Sequence, residues 1–523
     1  MSGVKYSKQL IISTTAIDFW ITGRDLIPLL TDMASHNSAF VGRPLNFRFR
    51  MLLKSAVTNL QTLVMGVSRS PKPLPCSEEE LREIASQYRT PFYLYDKEKI
   101  VNEAKYFYDS FAWVRSLTGT QFKNHFAVKA TPNPMILKIL HENCDMGMDC
   151  ISLGELKICE KLGIKGEDIM FTSNNTLLEE YRKASEMGAI INLDDFSQID
   201  NVKKALGGAM PEIISFRFNP GPNHNIEYNE HIGNPGEAKF GMTKAQLLSA
   251  FKKCKEYGVK RFGLHTMIVT CSLNVEDLAE TARMMFTLAV EIKNETGISA
   301  EFVNMGGGIG VNFHPDDRKP IDLHDLGVRV KSLYEEIVLQ EKELHPLQIK
   351  YECGTIVTAD NGWLVTRVLN MKDTYKRFLG VDASETDFPL PGTYGFYHKV
   401  TIVKDQILSN EMQKNLPDYK TVVDDPSYAC PGYEGDKRER MFDVVGSTGW
   451  NKDKFAVDRV LTLNPEIGDL CIIHGAGAYG YALSCNFNGK LQPAEILRIG
   501  PNRFEEIRRA QTYDDYFATI KFP

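Results

Sequence analysis

The stretch HFAVKATPNP, residues 125–134, sets three apolar residues, Phe126, Ala127 and Val128, before a lysine and a proline-rich turn. Such a run reads as a buried strand, and Pro132, Asn133 and Pro134 stop it. Lys129 then lies at the strand's end, where a lysine either snorkels to water or is held at a site. The local pattern alone favours snorkelling. The rest of the chain reverses that preference.

Seven more short apolar runs follow it: GMDCI, DIMFTS, AIINLD, IISFRFN, FGLHTMIV, EFVNMGG and IKYECG. Helical patterns such as LGELKICEKLG, LLEEYRKASEMG and DLAETARMMFTLAVEIKNETG lie between them. Eight strands alternating with helices predict an α/β chain closed as a (β/α)8 barrel rather than an open sheet. No glycine-rich fingerprint follows the first strand, which argues against a dinucleotide fold. Upstream, SEEELREIASQYRTPFYLYD starts with Ser77 and Glu80 in a capping-box pattern, then a helix and a strand over 92–95. Beyond about residue 355, GWLVTRVLNMKDTY, YHKVTIV, DLCIIHG and KLQPAEILRIG are strand-rich, which predicts a second, all-β domain. The expected layout is an N-terminal extension (1–75), a barrel (76–350) and a C-terminal β domain (351–523), with the segment near 85–100 a candidate addition to that last domain.

The totals set limits. A chain of 523 residues, 43% hydrophobic and 24% charged, buries at least one large core. A net charge of −6 provides no basic field for nucleic acid. The 10 cysteines form no CxxC pair and no zinc-spaced cluster, so free thiols in a reducing compartment and no metal are expected. No apolar run is long and charge-free enough to span a bilayer. Residues between Asp32 and Glu78 hold no acid but several arginines and lysines, as organelle transit segments do. A solvated or poorly ordered extension explains them equally simply, and the earlier Asp18, Asp25 and Asp32 favour it. A cytoplasmic location is expected, with organelle targeting as the alternative.

In a barrel, polar residues at the C-terminal strand ends are the functional candidates. Here they are Lys129, Asp149 with Glu155 on the next helix, Arg217, His265 and Glu352. Gly306, Gly307 and Gly308 follow another strand, where backbone N–H groups can approach a phosphate. A lysine for an aldehyde, a carboxylate for a pyridine nitrogen and a glycine loop for a phosphate together meet the needs of pyridoxal phosphate chemistry.

FAVKATPNP, MDCISLGEL, FRFNPG, AKFG, NMGGGIG, YECG, GAYGYA and FNGKLQPAEIL resemble, in order, the motifs of the fold-type III decarboxylases. That family includes the diaminopimelate, ornithine and biosynthetic arginine decarboxylases, and the likeness is greatest to the diaminopimelate enzymes. The resemblance implies pyridoxal 5′-phosphate, an amino-acid substrate and a homodimer with shared active sites. It implies that Lys129 is the Schiff-base lysine, Glu352 the partner of the pyridine nitrogen, and residues 306–308 the phosphate loop. Tyr479 matches a tyrosine near phosphate and substrate, and Asp149, Glu155 and Arg217 match supporting polar residues. His265 matches the first histidine of an H-x-H pattern whose second member usually stacks on the ring. That second position is Met267, so either His265 or Met267 is the expected stacking group.

The pattern breaks at the substrate pocket. The family's EPGR is ECGT here, so Thr355 replaces arginine, and Leu390 replaces an arginine before a PG pair that precedes Tyr394. A G-x-x-C-E-x-x-D motif becomes GSTGWNKD: Gly449 for the cysteine, Trp450 for the glutamate, Asp453 retained. Threonine and leucine cannot clasp a carboxylate or phosphate as arginine does. The family's cysteine, supplied from the partner subunit, helps return a proton to the substrate carbon, and glycine cannot. Two readings follow: a decarboxylase with an altered substrate, or a non-catalytic relative that partners or regulates an active enzyme. Retention of Lys129 and Glu352 together favours the enzyme. A racemase would share the barrel and cofactor, but KLQPAEIL and the motif order favour the decarboxylases.

Overall fold

Runs of buried residues place the strands, and a computed structural model describes the chain over residues 73–222, 233–314, 320–344, 346–409 and 441–523. The extension proposed for residues 1–75 therefore falls almost wholly outside the described residues. The first strand of the second sheet is β1 (Phe92–Asp96). The barrel strands are β2 (Lys123–Ala127), β3 (Gly147–Cys150), β4 (Ile169–Ser173), β5 (Ile190–Leu193), β6 (Ile213–Phe218), β7 (Arg261–Thr266), β8 (Phe302–Asn304) and β9 (Gln348–Tyr351). All eight pair in parallel in sequence order, and β9 closes onto β2 through Lys123 opposite Lys350 and Asn124 opposite Tyr351. These are the eight runs read from the sequence.

Met170, Ile190, Ile213 and Phe302 form a separate buried cluster inside the barrel. Each such side chain contributes roughly 1.5–3 kcal/mol of hydrophobic stabilisation when fully buried. A Cβ on Gly263 would lie 2.1 Å from the Phe302 ring, so the ring fills the space that glycine leaves. Most of the helices between the strands have side-chain caps. Ser152 Oγ accepts the Glu155 N–H at the start of the helix Leu153–Leu162, and Gly163, at φ 75°, ends it.

The second sheet adds β10 (Gly362–Asp373), β11 (Arg377–Val381), β12 (Val400–Val403), β13 (Met441–Val445), β14 (Lys454–Val460), β15 (Leu470–His474), β16 (Ala494–Gly500) and β17 (Arg503–Arg508). Its main path runs β14-β13-β11-β10-β1-β16-β17, with β15 paired to β10 and β12. Strand β1 thus enters this sheet antiparallel to β10 and parallel to β16, although it precedes the barrel in the chain. Ser77 does cap the helix Glu78–Gln87, the first among the described residues, but half of the expected box is missing. The Glu80 carboxylate bonds Arg498 at 3.1 Å and the Asn502 N–H at 2.8 Å, because a buried carboxylate gains more from a guanidinium than from a cap amide.

A short loop of the β domain and strand β16 clamp the turn that carries Lys129 and the residues just after it. The Tyr479 N–H donates to Ala130 O (2.8 Å), Thr131 Oγ1 to Gly477 O (2.7 Å), and Asn133 Nδ2 to Glu495 Oε2 (2.7 Å). Among the described residues no helix is long and apolar enough to cross a membrane.

Candidate active site

Strand β2 stops at Ala127, one residue earlier than its apolar run suggests, and Lys129 occupies a single 3₁₀ turn, Val128–Ala130. That turn lifts the lysine over the C-terminal mouth of the barrel. Its side chain is 47% exposed while its ion-pair partner Asp149, 3.4 Å away, is 2% exposed. The amine is therefore reachable from the mouth and the carboxylate is sealed beneath it. Desolvation would depress the lysine's pKa, but the carboxylates of Asp149, Glu352 and Glu155 outweigh it and the net shift is upward. Desolvation and the nearby Glu352 charge push Asp149 upward. One oxygen of that carboxylate, Oδ1, is buried and finds no partner in the protein.

Glu352 lies just beyond β9 and is held from three other strands. His265 Nε2 on β7 is 3.0 Å from Oε2, and Asn304 Nδ2 on β8 is 2.8 Å from Oε1. Thr172 Oγ1 on β4 donates to Oε1 at 3.3 Å. The Glu352 N–H bonds Gly306 O at 2.7 Å. Burial alone would raise its pKa; His265 and Lys129 reverse the sign and hold it low. A carboxylate offers about four acceptor positions, so Oε2 keeps one for a further donor.

The glycine loop follows β8. Gly306 and Gly308 have φ of 69° and 94°, and a Cβ at either would meet the carbonyls of Thr266 or Val269 at 2.3 or 2.2 Å. Only glycine fits these positions. Met267 Sδ accepts the Gly307 N–H at 3.2 Å, a weak thioether contact that an oxyanion would displace. Beside it, buried Arg217 pairs with Asp194 at 3.5 Å, bonds Met267 O at 3.3 Å and lies over the Phe240 ring at 4.2 Å. Glu155 Oε2 accepts the Ile151 N–H at 2.7 Å, fixing the segment that follows Asp149. Tyr479 has φ 55°, a costly value outside glycine, and its side chain lies beside Thr355. Burial raises its pKa.

Lys129, Asp149, Glu155, Glu352 and Tyr479 thus share one electrostatic environment, with residues 306–308 joined to it through Glu352. His265 stands beneath Glu352 and is fully buried. Its ring supports the glutamate and presents no face to the mouth, which corrects the expectation that it is a candidate for stacking. Asn304, Thr172 and Asp194 escaped the sequence reading. The period-2 alternation that makes Met170 and Phe302 interior also makes Thr172 and Asn304 interior, and would have found them.

The expected pocket residues behave differently. Leu390 is buried in the main core, and Thr355 is half-buried against Tyr479. Asp453 is 4% exposed, accepting from the Glu385 N–H (2.7 Å), the Thr448 N–H (2.8 Å) and the Thr448 hydroxyl (2.7 Å). Its oxygens are committed to Thr448 of its own loop and to the Glu385 amide, so it is a fold-holding residue and not a substrate contact within this chain. Gly449, Trp450 and Tyr394 are exposed. The Gly449 N–H bonds Asn488, and Trp450 meets Phe487 edge-on with ring centroids 6.2 Å apart.

The donor set fits pyridoxal phosphate. It has an accessible amine, a buried carboxylate with one acceptor position left and an orphaned carboxylate oxygen beside the amine. It also has a loop that tolerates no side chains. No group of His, Cys, Asp and Glu suited to a metal occurs among the described residues.

Residues 100–359 match the family model for the pyridoxal-binding domain of pyridoxal-dependent decarboxylases. Protein TabA of Pseudomonas amygdali pv. tabaci is 34% identical over 84% of this chain and 94% of its own length. The diaminopimelate decarboxylase of Methanothermobacter thermautotrophicus is 29% identical over 83% of this chain and 92% of its own. The crystal structure of Helicobacter pylori diaminopimelate decarboxylase complexed with L-lysine superposes with a TM-score of 0.69 at 26% identity, covering 84% of this chain and 98% of that one.

Proposed function

The chain belongs to the pyridoxal-dependent decarboxylase family, and from that premise we propose that Lys129 anchors the cofactor of an amino-acid decarboxylase whose substrate is not diaminopimelate. The observation that carries this is the accessible Lys129 amine 3.4 Å from sealed Asp149, in the same mouth as a buried, three-donor Glu352. Pyridoxal phosphate, when bound, supplies an aldehyde that holds the substrate amine and a ring that takes up the electrons left as carbon dioxide departs.

The protein's own groups do the rest. Residues 306–308 and Tyr479 would hold the phosphate end, and Glu352, whose Oε2 keeps a free acceptor position, would keep the ring nitrogen protonated. Asp149 keeps Lys129 Nζ charged when it is not covalently engaged, so that it is ready to return a proton to the substrate carbon. The raised pKa of Tyr479 keeps its hydroxyl protonated as a second donor. These two stand where the family's cysteine would have served, because Gly449 has no acid to offer.

Thr355, Leu390 and Trp450 remove the charges that would pair a distal carboxylate and ammonium. Leaving a buried charge unpaired costs about 3–5 kcal/mol. An amino acid whose far end is apolar, aromatic or masked by conjugation fits better, with Trp450 as an apolar face. We place Trp450 and Gly449 at the mouth of a second copy, in a homodimer of the isologous kind, and the protein in the cytoplasm. Sedimentation at assay concentration checks the first: a fully active monomer rules it out. The central test is borohydride reduction of wild type and Lys129→Ala, followed by mass analysis. Cofactor should be fixed on the wild type alone; equal retention in both defeats the assignment.

A further inference from the structure

The turn that carries Lys129 ends on a single buried side chain. Asn133, shortly after the lysine, starts the helix Pro134–Cys144, and its Oδ1 accepts the Met135 N–H at 3.0 Å. The amide nitrogen of the same side chain faces the β domain. Nδ2 donates to Glu495 Oε2 on β16 at 2.7 Å and to Ile507 O on β17 at 3.4 Å. Asn133 and Glu495 are each 1% exposed. They lie in FAVKATPNP and FNGKLQPAEIL, 362 positions apart in the chain.

The Glu495 carboxylate is aimed from within its own sheet. Tyr95 Oη on β1 donates to Oε1 at 2.9 Å, and Arg508 Nε on β17 donates to Oε2. A charged acceptor makes the Asn133 bond stronger than an ordinary amide contact. The backbone between Lys129 and Asn133 is closed on both sides. Ala130 O accepts the Tyr479 N–H at 2.8 Å, Thr131 O accepts the Asn133 N–H at 2.8 Å, and a Cβ on Gly354 would come within 2.6 Å of Ala130 Cβ. A shift of Asn133 meets no loose segment that absorbs it, and is passed back to the lysine.

We propose that Glu495 and Asn133 are positioning residues for Lys129: through one buried hydrogen bond, the β domain sets where the lysine's amine stands over Asp149. The proposal rests on the reading of Lys129 as the cofactor anchor. A reacting group misplaced by about 1 Å, even from a site far from the chemistry, costs on the order of a hundredfold in rate. The amine is 3.4 Å from Asp149, so a small displacement also weakens that ion pair. The titratable groups that face the amine are Asp149 on β3, Tyr479 of the β domain, Glu352 after β9 and Glu155 on the helix Leu153–Leu162. The variants below leave all four in place.

The test breaks the bond from each side in the full-length chain. Asn133→Ser keeps a capping oxygen and loses the donor; Glu495→Met removes the acceptor. Thr366→Val is the control, because it breaks a buried bond of the β domain to Asp382, away from the turn. The first readout is competitive acetylation by acetic anhydride at pH 9 on protein freed of cofactor, followed by peptide mass analysis. An amine that leaves Asp149 keeps its desolvation and loses its counter-charge, so its pKa falls. Lys129 should then react about tenfold faster, relative to the other lysines, in both variants. The control should label as wild type. In the holoenzyme kcat should fall about ten- to a hundredfold with KM unchanged. The double variant should be no worse than Asn133→Ser, since both changes act through one bond. Folded variants that label Lys129 as wild type does overturn the proposal, and so does a control that labels as they do. Should Glu495→Met fail to fold, Asn133→Ser decides alone. A wild type that fixes no cofactor with borohydride defeats the reading of the site instead, and the acetylation still decides whether the β domain positions the lysine.

Discussion

The inner mouth of the barrel and the rim built by the β domain are assembled on opposite rules. In the mouth, each chemically active group is held from a different strand. Glu352 takes donors from β4, β7 and β8, and Lys129 faces Asp149 of β3. At the rim, Asp453 ties its loop to Glu385 and Thr448, but Gly449 and Trp450 stand exposed on that loop, touching Asn488 and the edge of Phe487. A residue braced from three strands cannot change without breaking its partners. A residue on an exposed loop can. The retained chemistry and the altered pocket follow from that difference.

Glu352→Gln attacks the braced region most directly. It removes the charge and replaces one acceptor oxygen with an NH2 that faces a donor, either Asn304 Nδ2 or His265 Nε2. Turnover should fall on the order of 10²–10³-fold with little change in KM, as for loss of a preorganised electrostatic group. Steady-state kinetics with the holoenzyme check it, and a loss confined to KM would place Glu352 in the pocket instead.

Lys350 sharpens the comparison from within the same barrel, because it is a buried interior charge set over the Phe302 ring at 5.1 Å. Burial lowers its pKa to about 8. A lysine in the unfolded chain titrates near 10.4, so between these values the unfolded state binds more protons and stability rises with pH. Below pH 8 both states are charged and the full penalty, about 3 kcal/mol, applies. Lys350→Met should therefore stabilise the fold at pH 7 and flatten the gain between pH 8 and 10. Equal denaturation midpoints for the two proteins at pH 7 would contradict this.

The rim is tested by substrates. Holoenzyme offered a panel of amino acids should release carbon dioxide from apolar or aromatic ones at least about a hundredfold more efficiently than from diaminopimelate. The reverse order would show that other rim residues, Lys399 or Lys452 among them, restore charged recognition.

Smaller effects separate folding from chemistry. Asp453→Ala strands the Glu385 and Thr448 donors and should cost about 1–3 kcal/mol of stability, read by denaturation, with Lys129 still reducible onto the cofactor. Removing residues 1–75 should leave turnover near that of the full chain; a large loss in a well-folded truncated protein would show that this segment helps to build the site.

Apolar alternation and helix caps are local properties, so the eight barrel strands, their order and the strand-end lysine could be read in one dimension. The replacements at Thr355, Leu390, Gly449 and Trp450 were legible for the same reason: they interrupt motifs that are contiguous in the chain. Which interior residues meet was not legible, because it depends on strand register across sequence gaps of 180, 87 and 48 residues to Glu352. Alternation says that His265 points inward, but only the packed barrel buries it beneath Glu352 and denies it the stacking role. Asp453 likewise keeps its place in a motif, yet the amides of Glu385 and Thr448 engage both its oxygens. Strand β1 precedes the barrel in the chain and completes the other sheet, because pairing is decided by which edge lies open in space and not by nearness along the chain.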